Sequence, residues 1–466
     1  TIPSHASLFS GEVPAVHGTL QADDVLPKSF PTLASRLSAN GIRTTGFCNN
    51  PLVGVLQNGF KRGFDDFYNY CGVVPSTPQK DLDDFWKPFR KLWSKYTQLL
   101  RRISYPIQNT FASPNEFFLA ALRPLFVPVW TKAGNFKGMN ARSIKDTAAF
   151  VDEIGQAREG GNFVFLNLME THLPYGPPDD YVKQFVPYFY ETPEAQHFMR
   201  DFNRKAMQWL IPLPEPFNEI EAQTLSDMYD AEVAYQDHLL AQLLDTMNSD
   251  YHRDNSMVIF LADHGEMLGE HGYMGHGFGV HEELVHVPLF MRVPGQSQGK
   301  RISDRVSITQ TFYTIMDYFG FDTLPTPYAE EVDVRSKSLL RKPERDVNDS
   351  VVVSEAYGPE NAIEIMQRNF PQLIDNYQAD RTHRAVYQGD EKMIAVEGLS
   401  KVLFDLAGDP REVQPYQDAA RIDALADVLD AYLELANKRN AGTSRHKLVL
   451  KDELLQQRLR DLGYLE

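Results

Sequence analysis

The sequence predicts an α/β protein with a mostly parallel central sheet covered by helices on both faces, followed by a smaller C-terminal α+β region. Strand-like and helix-like segments alternate up to residue 330. The strand-like segments NFVFLNLME and SMVIFLA are almost entirely apolar, as expected for strands buried on both faces of a parallel sheet. With 466 residues, 42% of them hydrophobic, the chain can bury a large core, which favours two domains.

The N-terminal segment predicts two helices and a strand. In TIPSHASLFSG, Pro3 suits a first helical turn and Gly11 suits the position after the last, so we expect a short helix between them. The leucines of PTLASRLSANG have helical spacing, and Asn40-Gly41 is a typical C-cap. IRTTGFCN, which follows, is rich in β-forming residues and predicts a strand.

The middle of the chain continues the alternation. Residues 78–142 have no clean period, and we expect a helical excursion with loops there. IKDTAAFVDEIGQA predicts an amphipathic helix, NFVFLNLME a strand, residues 219–248 a long helix and SMVIFLA another strand. ITQTFYTIMDYFG predicts a helix closed by Gly320.

The pattern changes after residue 330, which gives a first domain over residues 1–330. Residues 331–350 are polar and predict a linker. Residues 351–466 predict a small α+β domain with the strands VVVSEA, HRAVYQ, EKMIAVEG and KVLFDL, a hairpin turn at Gly389-Asp390, a helix over 419–439 and a charged helical tail.

Composition excludes several classes of function. A net charge of −17 argues against nucleic acid as a partner, and no apolar run is long enough to span a membrane. Two cysteines, Cys48 and Cys71, cannot form a disulfide framework, which favours a reducing compartment such as the cytoplasm. The chain begins at Thr1 rather than at methionine, which indicates processing or a fragment.

Polar residues follow three of the predicted strands. Asp263-His264 follow SMVIFLA, His172 follows NFVFLNLME, and Asn49-Asn50 follow IRTTGFC. Parallel α/β sheets bind ligands beyond the carboxyl ends of their strands. An adjacent aspartate and neutral histidine suit Zn²⁺, or Mn²⁺ with more oxygen ligands. The alternative is an Asp–His pair in an ordinary loop.

Further histidines follow at positions 271, 276, 281 and 286. Their spacing of five matches neither the helix period nor the strand period, so they cannot share one face of one element. We therefore interpret His281 and His286 as polar loop and packing residues.

Thr1 lies just before the first predicted helix. The backbone N–H groups and the dipole of a helix N-terminus favour an anion, and a hydroxyl there, deprotonated by a metal, could attack an anionic ester. The alternative is a plain N-cap threonine.

Seven motifs in order resemble the sulfatase family of the alkaline-phosphatase-like superfamily. They are TIPSHASLFSGEVPAVHG, GIRTTGF with RGFDDFYNY, METHLPYGPP, YDAEVAYQDHLLAQLLD, LADHGEMLGEHGYMGHG, EELVHVPLFMRVPG and KVLFDLAGDPREVQP. The first is similar to the signature C/S/T-x-P-S-x-x-x-L-x-x-G. The resemblance covers nearly the whole chain and is weakest over residues 78–142.

The resemblance implies an alkaline-phosphatase-like fold and a metal-dependent hydrolase acting on a small-molecule or glycan sulfate or phosphate ester. Asp263 and His264 match the family's metal ligands, and Thr1 matches its nucleophile and a further ligand. His172 matches the histidine that contacts the ester, and His276 stands where many members have a lysine at the leaving oxygen. The cofactor that the resemblance implies is a divalent metal, with Ca²⁺, Mn²⁺ and Zn²⁺ left open.

Two further positions depart from the common pattern or leave a choice open. His5 stands where the common signature has arginine, and we carry it as a catalytic candidate. Either Asn49 or Asn50 falls near the position of the family's active-site lysine, and we take Asn50 as the candidate substrate-binding residue.

Two larger departures keep alternatives open. Thr1 cannot form the formylglycine aldehyde of common sulfatases, whereas threonine nucleophiles occur in phosphodiesterase, phosphonate monoester hydrolase and phosphoglycerol transferase relatives. Family members also have a first strand with acidic ligands, which this chain lacks, so the metal site is expected to be incomplete. The remaining alternatives are an N-terminal-nucleophile hydrolase and an inactive homologue that binds anionic glycans or lipids.

Overall fold

The computed structural model describes residues 1–71, 76, 78, 137–158, 160–205, 209–296, 298–341, 351–440 and 446–447. The expected excursion over 78–142 therefore lies outside the described residues except for residues 78 and 137–142. The expected charged tail after residue 440 is outside them except for residues 446 and 447. Within the described part of the chain, no helix is both long and apolar enough to cross a membrane.

Helices and strands alternate along the first part of the chain. Helices α1 to α12 are Ile2–Ser10, Pro14–His17, Leu33–Ser38, Pro51–Gly54, Asn140–Ala157, Asp179–Phe185, Pro193–Arg204, Glu219–Met247, Asp250–Asn255, Glu282–Val285, Thr309–Tyr318 and Val334–Lys337. Strands β1 to β10 are Asp24–Val25, Arg43–Cys48, Asp66–Asn69, Asn162–Asn167, Val258–Leu261, Met267–Leu268, Met274–Gly275, Leu289–Arg292, Thr323–Pro325 and Glu331–Asp333.

The C-terminal part is built around a different sheet. Strands β11 to β15 are Val351–Ala356, His383–Gln388, Glu391–Val396, Lys401–Asp405 and His446–Lys447. Helices α13 to α15 are Glu360–Asn369, Pro371–Tyr377 and Ala419–Asn440. Strands β11 to β14 form a four-stranded antiparallel sheet in sequence order. The predicted strands, the turn at Gly389-Asp390 and the long helix are confirmed, whereas α13 and α14 were not predicted.

A parallel three-stranded sheet lies beside the N-terminal helix. Its order is β3-β2-β4, with Cys48 opposite both Asn69 and Asn167 at the carboxyl ends. Aromatic rings pack between this sheet and α1, and Phe9 lies edge-on to Phe165 with centroids 5.1 Å apart. The predicted α/β layering, in which a helix covers the sheet, is confirmed here.

Strand β5, predicted from SMVIFLA as a fully buried parallel strand, has a different environment. It pairs antiparallel with β8, and Phe260 and its partner Phe290 are 43% and 66% exposed. Among the described residues, β4 and β5 each pair on one side only, and they belong to separate sheets. The apolar run therefore predicted the strand correctly but not its partner or its burial, because hydropathy does not encode pairing.

Residues 331–341, expected to be linker, are folded. They form β10, which pairs with β9, and then α12. Val332 and Val334 are buried and pack in one cluster with Phe312. Two apolar residues in a polar segment are enough to anchor it. The domain boundary at residue 330 stays a prediction.

Both cysteines lie in the first part of the chain, buried and free of disulfides. Cys48 ends β2, and Cys71 follows β3. Burial raises the pKa of both thiols, to about 12 for Cys71. Neither is therefore a reactive thiolate at neutral pH.

Candidate active site

Thr1 occupies the N-cap of α1, as the sequence predicts. Pro3 lies in the first turn, and Gly11 closes the helix in the left-handed conformation with φ 74°. A Cβ at Gly11 would lie 2.6 Å from the ring of Phe312, so the close packing of α1 on α11 also requires glycine. The Thr1 hydroxyl makes no capping hydrogen bond within the helix and instead contacts a histidine from another segment.

That histidine is His264, which follows the carboxyl end of β5. Its Nδ1 donates to the carbonyl oxygen of Gly265 at 2.8 Å, so Nε2 carries the lone pair of the neutral ring. The Thr1 hydroxyl lies 3.2 Å from Nε2, and Asp263 Oδ2 lies 3.5 Å from it. Burial lowers the pKa of His264 well below its usual value, so Nε2 is available as a ligand or as an acceptor.

Asp263 contributes the negative charge of the site. Burial on its own raises the pKa of this carboxyl, but the interaction with His5, including its hydrogen bond, opposes that effect, and the pKa lies well below its usual value. His5 Nδ1 lies 3.2 Å from Asp263 Oδ2 and 3.0 Å from the Thr1 carbonyl oxygen. Because both partners are acceptors, Nδ1 carries the proton, and His5 joins the nucleophile segment to the Asp263 loop.

His5 is itself held by the central sheet. Its remaining ring nitrogen, Nε2, accepts from the side-chain amide of Asn167 at 3.3 Å, where β4 ends. His5 of α1 therefore joins the carboxyl ends of β4 and β5, which belong to separate sheets. Asn167 was not predicted, although its place at the end of an apolar strand is the signal that could have identified it.

His276 comes close to the Asp263-His264 pair. Its ring stacks on His264 with centroids 4.1 Å apart, and its Nδ1 lies 2.9 Å from Glu266 Oε1. Nδ1 therefore donates to the carboxylate, which leaves Nε2 to contact a substrate. The expectation that the loop folds back to bring His276 beside the Asp–His pair agrees with this geometry.

His172 lies on the other side of His276. The two ring centroids are 5.1 Å apart in an edge-on arrangement. His172 Nδ1 donates to the carbonyl oxygen of Leu173 at 2.7 Å. Burial, with a smaller contribution from the charge of His276, lowers the pKa of His172 to about 4. The ring is therefore neutral at physiological pH.

A buried ion pair, which the sequence did not reveal, holds the His172 loop, residues 168–176. Lys137 Nζ donates to the carbonyl oxygen of Glu170 at 2.6 Å and to Glu232 Oε1 at 2.8 Å. The same carboxylate oxygen accepts from the backbone N–H of Gly176 at 2.7 Å. Glu232 lies fully buried in the middle of α8. The Glu232 carboxylate thus holds the loop at Gly176 directly and at Glu170 through Lys137.

The two asparagines after β2 make contacts within the protein. Asn50 Oδ1 caps α4 by accepting from the backbone N–H of Leu52 at 2.9 Å. The side-chain amide of Asn49 donates to Ser143 Oγ at 2.7 Å and to the carbonyl oxygen of Asn167 at 2.8 Å. Asn49 therefore braces the strand end that supports His5. A substrate contact of Asn50 stays a prediction.

The donor set fits a divalent metal. Asp263 Oδ2 is buried without a well-aligned hydrogen bond, and the lone pair of His264 Nε2 and the Thr1 hydroxyl lie beside it. One carboxylate, one imidazole and one hydroxyl are ligand types that Zn²⁺, Mn²⁺ or Ca²⁺ accept in part or in full. These three residues would hold the ion, and its remaining coordination positions would be open to further ligands.

The site residues expected from the sequence fall into two groups. Thr1, His5, His172, His276 and the Asp263-His264 pair form one continuous set of contacts. Asn50, in contrast, has its described contact in a helix cap.

Comparison with known proteins shows to which family the chain belongs. Residues 1–321 match the Sulfatase family model. The uncharacterized sulfatase YidJ of Escherichia coli (strain K12) is 24% identical over 274 residues, which cover 58% of this chain and 50% of the relative. Arylsulfatase K of Xenopus laevis is 27% identical over 208 residues, which cover 42% of this chain and 34% of the relative. The matches thus span half or less of the length of these relatives.

A solved structure shows the same fold. The phosphonate monoester hydrolase of Agrobacterium radiobacter superposes with a TM-score of 0.59 at 18% identity, covering 94% of this chain and 86% of that chain. The predicted alkaline-phosphatase-like architecture with an additional small antiparallel sheet is confirmed. Since the family model covers well over half of the residues, the chain belongs to the sulfatase family.

Proposed function

We propose that this protein hydrolyses sulfate or phosphate esters of small molecules or glycans at the site formed by Thr1, Asp263 and His264. The observation that carries the proposal is the contact of the Thr1 hydroxyl, at the N-cap of α1, with His264 Nε2 at 3.2 Å, beside the buried Asp263 carboxylate. A hydroxyl at a helix N-terminus next to a ligand pair is suited to attack an anionic ester.

The chain's own residues supply most of the chemistry. A divalent ion held by Asp263, His264 and Thr1 would acidify the hydroxyl and offset the charge of the ester. Thr1 Oγ1 attacks the sulfur or phosphorus atom, and the bond to the leaving alcohol oxygen breaks. The alcohol leaves with a proton, and water then releases sulfate or phosphate and restores the hydroxyl.

Two histidines are placed to assist the leaving group. His276 is oriented by Glu266 through Nδ1, which leaves Nε2 to donate a hydrogen bond to the departing oxygen when that nitrogen is protonated. The neutral His172 ring, oriented by the carbonyl oxygen of Leu173, can contact an ester oxygen next to it. Because the centroids of the two rings are 5.1 Å apart, both can contact the same ester.

Thr1 favours phosphorus esters over sulfate esters. Oxidation of a threonine hydroxyl gives a ketone rather than the aldehyde that sulfatases with formylglycine use. The unmodified hydroxyl must therefore act directly as the nucleophile. We infer that phosphodiesters, phosphonate monoesters or phosphate monoesters are turned over faster than sulfate esters.

The test is a side-by-side rate assay on the full-length native protein. Nitrophenyl sulfate, phosphate monoester, phosphodiester and phosphonate are each offered with Mn²⁺, Zn²⁺ or Ca²⁺. Metal-dependent turnover that is fastest with a phosphorus ester supports the proposal. Turnover of sulfate alone would contradict the preference assigned to Thr1. Absence of turnover in all twelve combinations would contradict hydrolysis and favour an inactive binding homologue.

A further inference from the structure

A second group of metal-ligating side chains lies outside the candidate active site. His271, His281 and Glu412 each offer a ligand atom, and these atoms lie within 4.8 Å of one another. The two imidazole rings stack almost in parallel, with centroids 3.9 Å apart and an angle of 9° between the planes. It is the one group of three such residues within the described ranges. The spacing of the later histidines predicted that they do not all share one face of one element, and His281 was interpreted as a packing residue. His271 and His281 come from different loops, and their rings meet.

The three residues join two parts of the fold. His271 lies in the turn between β6 and β7, His281 just before α10, and Glu412 after β14 of the C-terminal sheet. Glu412 Oε2 lies 3.1 Å from His281 Nδ1 and accepts from the backbone N–H of Glu282 at 2.8 Å. The carboxylate is thus fixed in place between the β6-β7 hairpin segment and the C-terminal sheet of β11 to β14.

A fourth oxygen lies at the edge of this group. Glu283 Oε2 is 3.6 Å from His271 Nε2, and it is buried without a well-aligned hydrogen bond. Two imidazoles and two carboxylates are a ligand set of the kind that Zn²⁺ binds in tetrahedral geometry. Ligands of such an ion are roughly 3.4 Å apart at Zn–N and Zn–O distances near 2.1 Å. The ligand atoms of His271, His281 and Glu412, which lie within 4.8 Å of one another, would have to draw closer around a bound ion.

The charges around the group leave a negative surplus. Among the described ion pairs of the carboxylates of Glu282, Glu283 and Glu412, one ammonium takes part, that of the buried Lys392, which lies 3.0 Å from Glu282 and 2.6 Å from Glu412. His286, near Glu282, is largely exposed. Three carboxylates against one ammonium leave two negative charges when the imidazoles are neutral. A divalent cation would balance them.

Backbone strain occurs at two members of the group. His271 and Glu412 adopt left-handed conformations with φ of 53° and 54°. Such conformations are uncommon for residues other than glycine and cluster at binding sites, where the surroundings enforce them.

We propose that His271, His281 and Glu412, with Glu283 as a fourth ligand, form a second divalent-metal site of the zinc type. The ion closes the loop that follows the Asp263-His264 motif onto the C-terminal sheet. With all four positions taken by protein atoms it has a structural role. This inference does not depend on the proposed hydrolase activity.

Metal titration tests the proposal once the first site is removed. The tag-free full-length chain carrying Asp263→Asn and His264→Asn is stripped with a chelator and titrated with Zn²⁺ by calorimetry. We expect one equivalent to bind, and His281→Gln in this background to weaken the affinity by more than about 100-fold, the upper range for losing even an indirect contact to a metal. His286→Gln, the same exchange at an exposed histidine, is the matched control and should bind as the parent does.

Two results would overturn the site. One is a parent that binds no stoichiometric Zn²⁺; the other is a His281→Gln variant that binds as tightly as the parent. If His281→Gln does not fold in the presence of chelator, X-ray absorption of the zinc-loaded parent decides. Two histidine nitrogens with oxygen ligands at about 2.0–2.2 Å support the site, and a shell of water oxygens alone contradicts it.

Discussion

Gly265 determines how the motif residues after β5 reach the active site. Its backbone N–H donates to the carbonyl oxygen of Leu284 at 2.8 Å, and the N–H of Glu266 donates to that of Glu283 at 3.2 Å. A Cβ at Gly265 would lie 1.8 Å from the Glu283 carbonyl oxygen. The loop therefore rests directly on the backbone of the next segment, and this contact directs His264 towards Thr1.

Replacing Gly265 by alanine is expected to damage both stability and the site. The backbone atom in the way cannot rotate aside, so the loop must shift at a cost of about 1–3 kcal/mol or more. Urea unfolding of Gly265→Ala measures the loss. Gly299→Ala serves as the control, since nothing lies within 4 Å of its Cβ. Equal stability of the two variants would show that the loop does not rest on Glu283 in solution.

The residues with chemical roles were largely predictable, while their supports were not. Asp263, His264 and His172 follow strand-like segments, so their meeting beyond the carboxyl ends of strands follows from the α/β pattern, although β4 and β5 lie in separate sheets. Lys137 and Glu232 were not predicted, because a lysine before one helix and a glutamate inside another carry no local signal. Their pairing across 95 residues arises only when α8 packs against the loop.

Helices α1 and α2 are joined by a buried imidazole. His17 Nε2 lies 3.1 Å from Ser7 Oγ, and His17 Nδ1 accepts from the backbone N–H of Thr19 at 3.1 Å. The ring is therefore neutral, with its proton on Nε2. Burial lowers the pKa of His17 from 6.5 to about 3.

Acid should destabilise the fold through this group. Below pH 6.5 the unfolded chain takes up a proton at His17 that the folded chain does not, so the free energy of unfolding falls with pH down to about 3. The loss between pH 6.5 and 5 is roughly 2 kcal/mol. Chemical unfolding across this range should show a smaller loss in His17→Gln. His197→Gln, at an exposed histidine, should keep the slope of the parent, and an unchanged slope in His17→Gln would refute the assignment.

The ion pair between Lys137 and α8 should position the His172 loop. Glu232→Gln keeps the shape of the side chain but removes the charge that holds Lys137 and the Gly176 N–H. If the chain hydrolyses esters, kcat should fall while KM changes little, because the loop then samples positions away from the leaving group. Lys183→Met, which breaks a solvent-exposed ion pair, is the control for charge removal. A change in KM alone would indicate that the pair acts on ground-state binding instead.

Strand prediction succeeded where hydropathy was sufficient and failed where pairing decided the outcome. IRTTGFC and NFVFLNLME gave neighbouring parallel strands, as expected. SMVIFLA gave a strand whose antiparallel partner, Leu289–Arg292, lies 28 residues or more further along the chain. Alternation of element types cannot distinguish these arrangements, because either partner satisfies the same apolar side chains.

At the scale of the whole molecule, the C-terminal helix supports the segment that carries Thr1. Ala436 of α15 is buried in the same core cluster as Ile2 and Phe9 of α1. The side-chain amide of Asn440 donates to the carbonyl oxygen of Ala15 at 2.9 Å. The helix was predicted over residues 419–439, but its docking on the first residues of the chain was not, because no sequence pattern specifies a contact between residues so far apart.

A charge on the docked face of α15 should therefore destabilise the packing of α15 against α1, the helix that Thr1 precedes. We expect Ala436→Asp to lower the unfolding midpoint strongly, because an unpaired carboxylate would be buried against α1. Ala431→Asp, on the exposed face of the same helix, should change it little. Thermal unfolding of both variants checks this, and equal midpoints would contradict the docking of α15 on α1.

The central claim is that Thr1, held by His264 beside Asp263, is the nucleophile of a metal-dependent ester hydrolase. The most direct test compares the rates of the native protein, Thr1→Ser and Thr1→Ala on its best nitrophenyl ester, with metal and with chelator. We predict metal-dependent turnover that Thr1→Ser retains and Thr1→Ala loses by more than about 1000-fold, as loss of a nucleophile does elsewhere. Turnover in Thr1→Ala comparable to that of the native protein, or turnover indifferent to chelation, would contradict the account.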